Sequence, residues 1–352
     1  MELGILSLSD LQLDPATGQR VRAEVRTREI ISYAILADRL GLDVFALGEH
    51  HSLDFAVSSP AVILAAVAQA TRQIRLTSAV SVLSVLDPVR LHQDFASLDL
   101  VSGGRAEIIA GRSAFVEPFG LFGVDLSRYD EIFAEKLDLL LALRDSERVT
   151  WSGSFRPALA DAQVSPRPLQ PQLPLWLGVG GTPASAVRAG RLGLPMVLGL
   201  IGGTFAHAGP AVDLYRGAWE AAGHPPGRQR LGLTSHFFVG PTSQGSRAAF
   251  YPYYREYLRP KAPGGRGWVV SPDDFRQIAG PAGALMIGSP QEVAEKIMAE
   301  RDVLGVRRFI GQIDLGGLPP QLVNQSIELF AGEVAPVIRR ETETGTGAER
   351  TA

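Results

Sequence analysis

Val44-Phe45-Ala46-Leu47-Gly48-Glu49-His50-His51 is an apolar run of strand length that ends in one carboxylate and two imidazoles. A buried strand has this form when it delivers reactive groups to the edge of a parallel sheet. In β/α proteins that edge is the C-terminal end of the strands, where the connecting loops form a pocket. Glu49, His50 and His51 are therefore the point from which the rest of the chain is read.

On either side of this stretch, strand-like and helix-like segments alternate. Leu3-Gly4-Ile5-Leu6-Ser7-Leu8 is the first strand, and residues 24–40 carry helix-spaced apolar positions that stop at Gly41. Ser58 or Ser59 can cap the next helix, with Pro60 in its first turn. That helix, 61–70, is apolar almost all round. One side is expected to pack on the sheet and the other to form a homodimer interface through residues 60–70, with burial beneath a long loop as the alternative. Further strands are predicted at 74–82, 106–110, 175–179, 195–201, 232–239 and 306–310, each followed by a helical pattern. Residues 149–165 resemble a hairpin excursion, and 259–283 a long insertion after the seventh strand that is a candidate lid. Eight strands alternating with helices predict an α/β fold, a (β/α)8 TIM barrel, because an open sheet would normally stop at five or six. Residues 1–340 are read as one domain and 341–352 as a polar, disordered tail.

Bulk composition narrows the function. A chain of 352 residues with 45% hydrophobic and 20% charged residues has the balance of an ordinary globular protein. A formal net charge of −3 is too small to draw in nucleic acid or an anionic membrane over the whole surface, so any bound anion must be gripped locally. The absence of cysteine excludes disulfides, thiolate metal sites and cysteine nucleophiles. Met1-Glu2 leads straight into a strand with no basic leader, and no apolar run nears the ~18 residues of a membrane span. A cytoplasmic enzyme is expected.

Three constellations carry chemistry. Side chains alternate along a strand, so Glu49 and His51 should share one direction and His50 the other, leaving one imidazole to serve as base or proton donor. Adjacent histidines also occur at metal sites, but no HxxxH, HxH or Asp-rich partner set accompanies these. Second, Gly180-Gly181-Thr182-Pro183-Ala184-Ser185 combines close backbone approach, an N-cap threonine and a first-turn proline, the makings of an anion site at a helix N-terminus. Arg112, after the fourth strand, can add a forked charge-assisted contact. A plain strand-to-helix turn accounts for the same residues. Gly178-x-Gly180 is no dinucleotide fingerprint, since the third glycine and the ribose-binding acid are missing. Third, Ser78-Ala79-Val80-Ser81-Val82 is small and β-branched, so a flat ring could lie against its backbone, with ordinary barrel packing as the alternative.

Taken in order, these segments resemble the luciferase-like monooxygenase family over about residues 1–339. The resemblance is carried by 41–51, by Leu76-Thr77-Ser78-Ala79-Val80 through Asp87-Pro88-Val89-Arg90, by Ser102-Gly103-Gly104-Arg105-Ala106-Glu107 to Gly111-Arg112, and by Ala189-Gly190-Arg191-Leu192-Gly193-Leu194-Pro195. It implies a barrel that binds FMN, whose reduced form reacts with O2 to give a C4a-peroxide that oxygenates a small organic substrate. A separate NAD(P)H-flavin reductase would supply the reduced flavin. It also implies that His50, beside Glu49, is catalytic, that Arg112, Thr182 and Ser185 with Gly180 and Gly181 surround the phosphate, and that Ala79–Val80 is a non-prolyl cis peptide against the flavin ring. Gly111 stands where bacterial luciferase has a reactive cysteine, and Gly181 where it has an acidic residue, so neither light emission nor a long-chain aldehyde substrate is expected. The runner-up is an F420-dependent hydride-transfer oxidoreductase on the same barrel. A non-catalytic flavin-binding protein and a metal hydrolase are the further rivals.

Overall fold

The computed structural model describes residues 1–113, 115–260 and 267–348. Eight strands form its centre: β1 (Glu2–Ser7), β2 (Val44–Leu47), β3 (Arg75–Ser78), β4 (Ala106–Gly111), β5 (Leu175–Val179), β6 (Met196–Gly199), β7 (Leu231–Val239) and β8 (Arg308–Gln312). Each pairs in parallel with the next, and β8 pairs with β1, so the sheet closes into the expected (β/α)8 barrel. Gln312, Leu6, Ala46, Thr77 and Glu107 are successive Cα partners around five strands. Gln312 ends its strand whereas Glu107 is second in its own, and this stagger is what closure of a barrel requires.

Strand alternation sorts the side chains into two cores. Leu3, Ile5, Phe45, Leu47, Ile108, Leu175, Leu177 and Phe309 face the helices. Leu6, Val44, Ala46, Ile109, Trp176, Val197 and Ile310 fill the barrel interior. Each aliphatic or aromatic side chain so buried contributes roughly 1.5–3 kcal/mol by leaving water. The interior's base, at the strand N-termini, is charged and closed. Arg308 pairs with Glu107 at 2.6 Å and with Glu2 at 2.8 Å, and its guanidinium lies 4.2 Å from the centre of the Trp176 ring. Arg75 completes the set through Glu107. Burial alone would raise the Glu107 carboxyl, but Arg308 and then Arg75 outweigh it and hold it below the usual carboxylate range. A base filled in this way leaves the opposite end as the place for a ligand.

Several boundaries differ from those read in the sequence. The third strand does not run unbroken over 74–82. It stops at Ser78, passes through a cis Ala79–Val80 peptide, and resumes as Ser81–Val82 against Ala110 and Gly111. The eighth strand starts at Arg308 instead of Val306, because Val306 is still packing on helices before the ladder begins. A short strand, Met286–Gly288, pairs with the end of β7 and was not anticipated. The insertion carries a helix, Pro272–Ile278, with Ser271 and Asp274 forming a reciprocal capping box. Part of the candidate lid, residues 261–266, lies outside the described residues. Ser59 holds the N-cap position of Pro60–Ala70, but its side chain makes no capping bond. Helix also continues past 341, as Ala335–Ala348, where the composition read as a disordered tail. Arg339 anchors its start by donating to Gly41 and Asp43. The hairpin excursion is present as antiparallel Arg148–Trp151 and Leu159–Gln163. Among the described residues no helix is long and apolar enough to cross a membrane.

Candidate active site

At the C-terminal mouth the strands hand over to loops: β2 ends at Leu47, before the triplet, and Glu49, His50 and His51 line one recess while their side chains take different partners. Glu49 turns outward. One oxygen accepts from the Val82 backbone N–H at 3.0 Å, and the other is hydrogen-bonded to His51 Nε2 at 3.0 Å. Glu49 thereby ties the end of β2 to the segment just after the cis peptide. His50 turns inward, over Gly48. A Cβ on Gly48 would come within 2.6 Å of Leu8 and 3.3 Å of His50 Nε2, so glycine at this position is what makes room for the imidazole. The ring stacks on Phe55 with centroids 4.0 Å apart and meets the edge of Phe115 at 5.1 Å. Burial, then the neighbouring His51, pushes the His50 pKa down to about 4, so its imidazole is neutral at neutral pH. A shallow recess opens here, lined by Glu49, His50 and His51 together with Phe55, Ser113 and Phe115. The two imidazoles diverge, one to the phenylalanines and the other to Glu49.

Beside His50 the mouth has a floor made of backbone. Val80, from the cis peptide, lays its side chain over the next two strands. A Cβ on Gly111 would meet Val80 Cγ2 at 2.4 Å, and one on Gly178 would meet Val80 Cγ1 at 2.6 Å. Two inward positions therefore carry no side chain of their own, and Val80 fills the space of both. One step up β5, a Cβ on Gly180 would meet nothing within 4 Å, so the space above this floor is open. Gly181 follows at φ +92°, a left-handed conformation that a side chain would strain.

Past the floor lies a second recess, lined by Arg112, Phe133, Leu177, Gly178, Ser185 and Arg188. Arg112 and Ser185, chosen from sequence, meet here. Thr182 caps the helix Pro183–Arg191 without a side-chain capping bond, so its hydroxyl stays on the exposed rim. Arg188 was missed, although it follows Ser185 by three residues and so shares its helix face. Its Nη1 is buried and has no hydrogen-bond partner, and its guanidinium lies 5.3 Å from the Phe133 ring centre. Burial, then the Arg112 charge, depresses its pKa below the usual arginine range. Two guanidiniums forced together, one with an idle donor, form a site that an anion completes. Arg112 itself is held by Asp130 and by the Tyr129 hydroxyl at 3.3 Å. Asp130, Phe55 and Phe115 also escaped the sequence reading, because each reaches the site from a different loop or helix.

The two recesses are neighbours. Arg112 lines one and Ser113, the next residue, lines the other. His50, Val80, Arg112 and Ser185 follow β2, β3, β4 and β5, which are consecutive around the barrel. Three strand spacings of about 4.8 Å put roughly 14 Å between the first and last.

Comparison with known proteins now decides the family, since residues 1–308 match the model described as luciferase-like monooxygenase. The chain belongs to the luciferase-like monooxygenase family. Monooxygenase RslO1 from Streptomyces bottropensis superposes with a TM-score of 0.81 at 26% identity, covering 96% of this chain and 99% of that one. The oxygenase component of the flavin-dependent trigonelline monooxygenase of Acinetobacter baylyi is 23% identical over 88% of this chain and 89% of its own. The F420-dependent glucose-6-phosphate dehydrogenase of Amycolatopsis mediterranei is 30% identical over 47% of this chain and 51% of its own. Luciferase-like relatives thus include both flavin-dependent monooxygenases and F420-dependent oxidoreductases.

Proposed function

We propose that this luciferase-like chain is the oxygenase of an FMN-dependent monooxygenase, using reduced flavin and O2 to oxygenate a small organic substrate. A separate NAD(P)H-flavin reductase would supply the reduced flavin. The observation that carries the proposal is the pairing of an incomplete cationic recess with an open, glycine-floored shelf that leads to a neutral, aromatic-walled histidine. Arg112, Arg188 and Ser185 would hold the phosphate, with Thr182 at the rim. The backbone of Ala79 and Val80, with Gly111, Gly178 and Gly180, would face the ring. The trigonelline oxygenase, named flavin-dependent, aligns with 88% of this chain, but F420-dependent enzymes superpose on 96% of it, so the choice of FMN rests on the titration below.

Reduced FMN, when bound, supplies the two electrons that make O2 reactive. The chain's own residues do the rest. Phe55 and Phe115 shield the His50 ring from water, which keeps it neutral and makes it able to accept or give a proton at Nε2. Glu49 fixes the loop that presents it. Titration of the apo-protein with FMN and with F420, followed by mixing of the preferred reduced cofactor with air-saturated buffer, tests the reading. FMN should bind and its reoxidation should follow a course different from that of free FMNH2, while His50→Ala should keep binding and change that course. Preferential binding of F420, or identical reoxidation with and without protein, would overturn it.

A further inference from the structure

Four charged groups meet around the anion recess, and three are alike. Arg112, Arg188 and Arg191 bring positive charge, and Asp130, in the first turn of the helix Tyr129–Asp145, is the counter-charge that acts on Arg188 and pairs with Arg112. The pair is lopsided. The Arg112 side chain is 14% exposed and aims into the recess, whereas the Asp130 side chain is 54% exposed and sits on its edge. The lining of the recess includes both arginines but not Asp130. Asp130 occupies Nη1 of Arg112, so an anion that needs that nitrogen must displace the carboxylate. A partner half in water is held weakly, typically by 0–1 kcal/mol, and is easily displaced. A phosphate dianion arriving at Arg188 Nη1 and Ser185 would bring a second negative charge next to this carboxylate.

We infer that Asp130 is a tethered competitor for the phosphate of the flavin, lowering the site's affinity so that flavin enters and leaves with each turnover instead of remaining bound. The inference rests on the proposed phosphate role of this recess, and it concerns exchange instead of chemistry. A neutral side chain at 130 removes both the competition for Arg112 and the repulsion of the dianion. Asp130→Asn should therefore tighten FMN binding about 3- to 10-fold. Dissociation should slow by a similar factor. Riboflavin, which has the ring but no phosphate, should bind both proteins equally.

The test is equilibrium titration of the full chain with FMN, riboflavin and inorganic phosphate, together with FMN release after dilution. Wild type, Asp130→Asn, Asp130→Ser and Glu131→Gln are compared. Glu131→Gln removes a charge from the same first turn, where the carboxylate pairs with Arg128 instead of Arg112, and should leave all constants unchanged. Asp130→Ser decides the matter if the asparagine variant does not fold. Tighter FMN and phosphate binding in the neutral 130 variants alone, with riboflavin unmoved, supports the competitor. Unchanged or weaker FMN binding in them, with phosphate still competing against FMN in wild type, overturns it and leaves the phosphate recess standing. If wild type binds FMN no better than riboflavin and phosphate does not compete, the recess reading itself falls and Asp130 has nothing to compete with.

Discussion

Arg188→Met should make the protein more stable and worse at its task. Arg188 lies one turn beyond Ser185, with Nη1 buried and unpartnered and the guanidinium over Phe133. An idle buried donor costs about 1–3 kcal/mol, and for a side chain only partly shielded from water the lower end applies. Methionine is of similar length, unbranched and polarizable, so it keeps the contact with Phe133 while removing the donor and the repulsion from Arg112. The expected gain is about 1 kcal/mol, or roughly 2 °C in Tm for a chain of this size. Binding should move the other way. A hydrogen bond to a charged group contributes about 1.5–3 kcal/mol, so FMN should bind roughly 10- to 150-fold more weakly and riboflavin equally well. Thermal melts of the apo-protein and titrations with both flavins read the two signs separately. A variant that melts earlier and holds FMN as tightly as wild type would show that Arg188 is a structural residue and that the recess does not bind phosphate.

His50 has a folded pKa near 4 against an ordinary value of 6.5, so the native state loses stability as pH falls from 6.5 to 4 and is unaffected above 6.5. His92 and His236, also depressed by burial, add to the same limb, so His50→Gln should make it shallower by on the order of 3 kcal/mol while apo-protein stability at pH 7.5 changes little; an unchanged acid limb would refute the buried neutral state. Gly111→Ala drives a Cβ into Val80 at 2.4 Å, so about 1–3 kcal/mol of stability and most FMN affinity should be lost, and Val80→Ala in the same chain should restore stability; denaturant melts of the single and double variants decide. Val62 is 65% exposed on Pro60–Ala70. If that face joins two copies, Val62→Glu should convert a dimer into a monomer by light scattering, and a monomeric wild type would end the idea.

Much of this site could be read in one dimension because strand geometry is local. Alternation paired Glu49 with His51 and set His50 apart, although β2 itself ends at Leu47, and eight apolar runs were enough to predict the barrel and its mouth. Arg112 and Ser185 meet because they follow adjacent strands and share an edge, whereas Thr182 is outside the lining of their recess. The misses have the opposite character. Phe55 and Phe115 reach His50 from two different loops, and Asp130 reaches Arg112 from a helix 18 residues on, contacts with no spacing rule. Arg188 did have a signal, the i, i+3 relation to Ser185, but one that means something only once Ser185 is known to line a recess. Met286–Gly288 escaped because three residues are too few to show a period.

The two ends of the barrel explain why ligand chemistry belongs to one and not the other. At the base, Glu2, Arg75, Glu107 and Arg308 meet one another's charge in bonded pairs, and Trp176 packs beneath the guanidinium, so nothing is left to recruit. At the mouth the inward positions are Gly48, Gly111 and Gly178, residues that by themselves weaken a strand. Each omits a side chain where another must pass: His50 and Leu8 over the first, Val80 over the other two. A barrel gains nothing in stability from three such omissions, at the ends of β2, β4 and β5. On the function proposed above they would be the floor under a planar ring, and the unpaired Arg188 donor beyond them would receive its anionic tail.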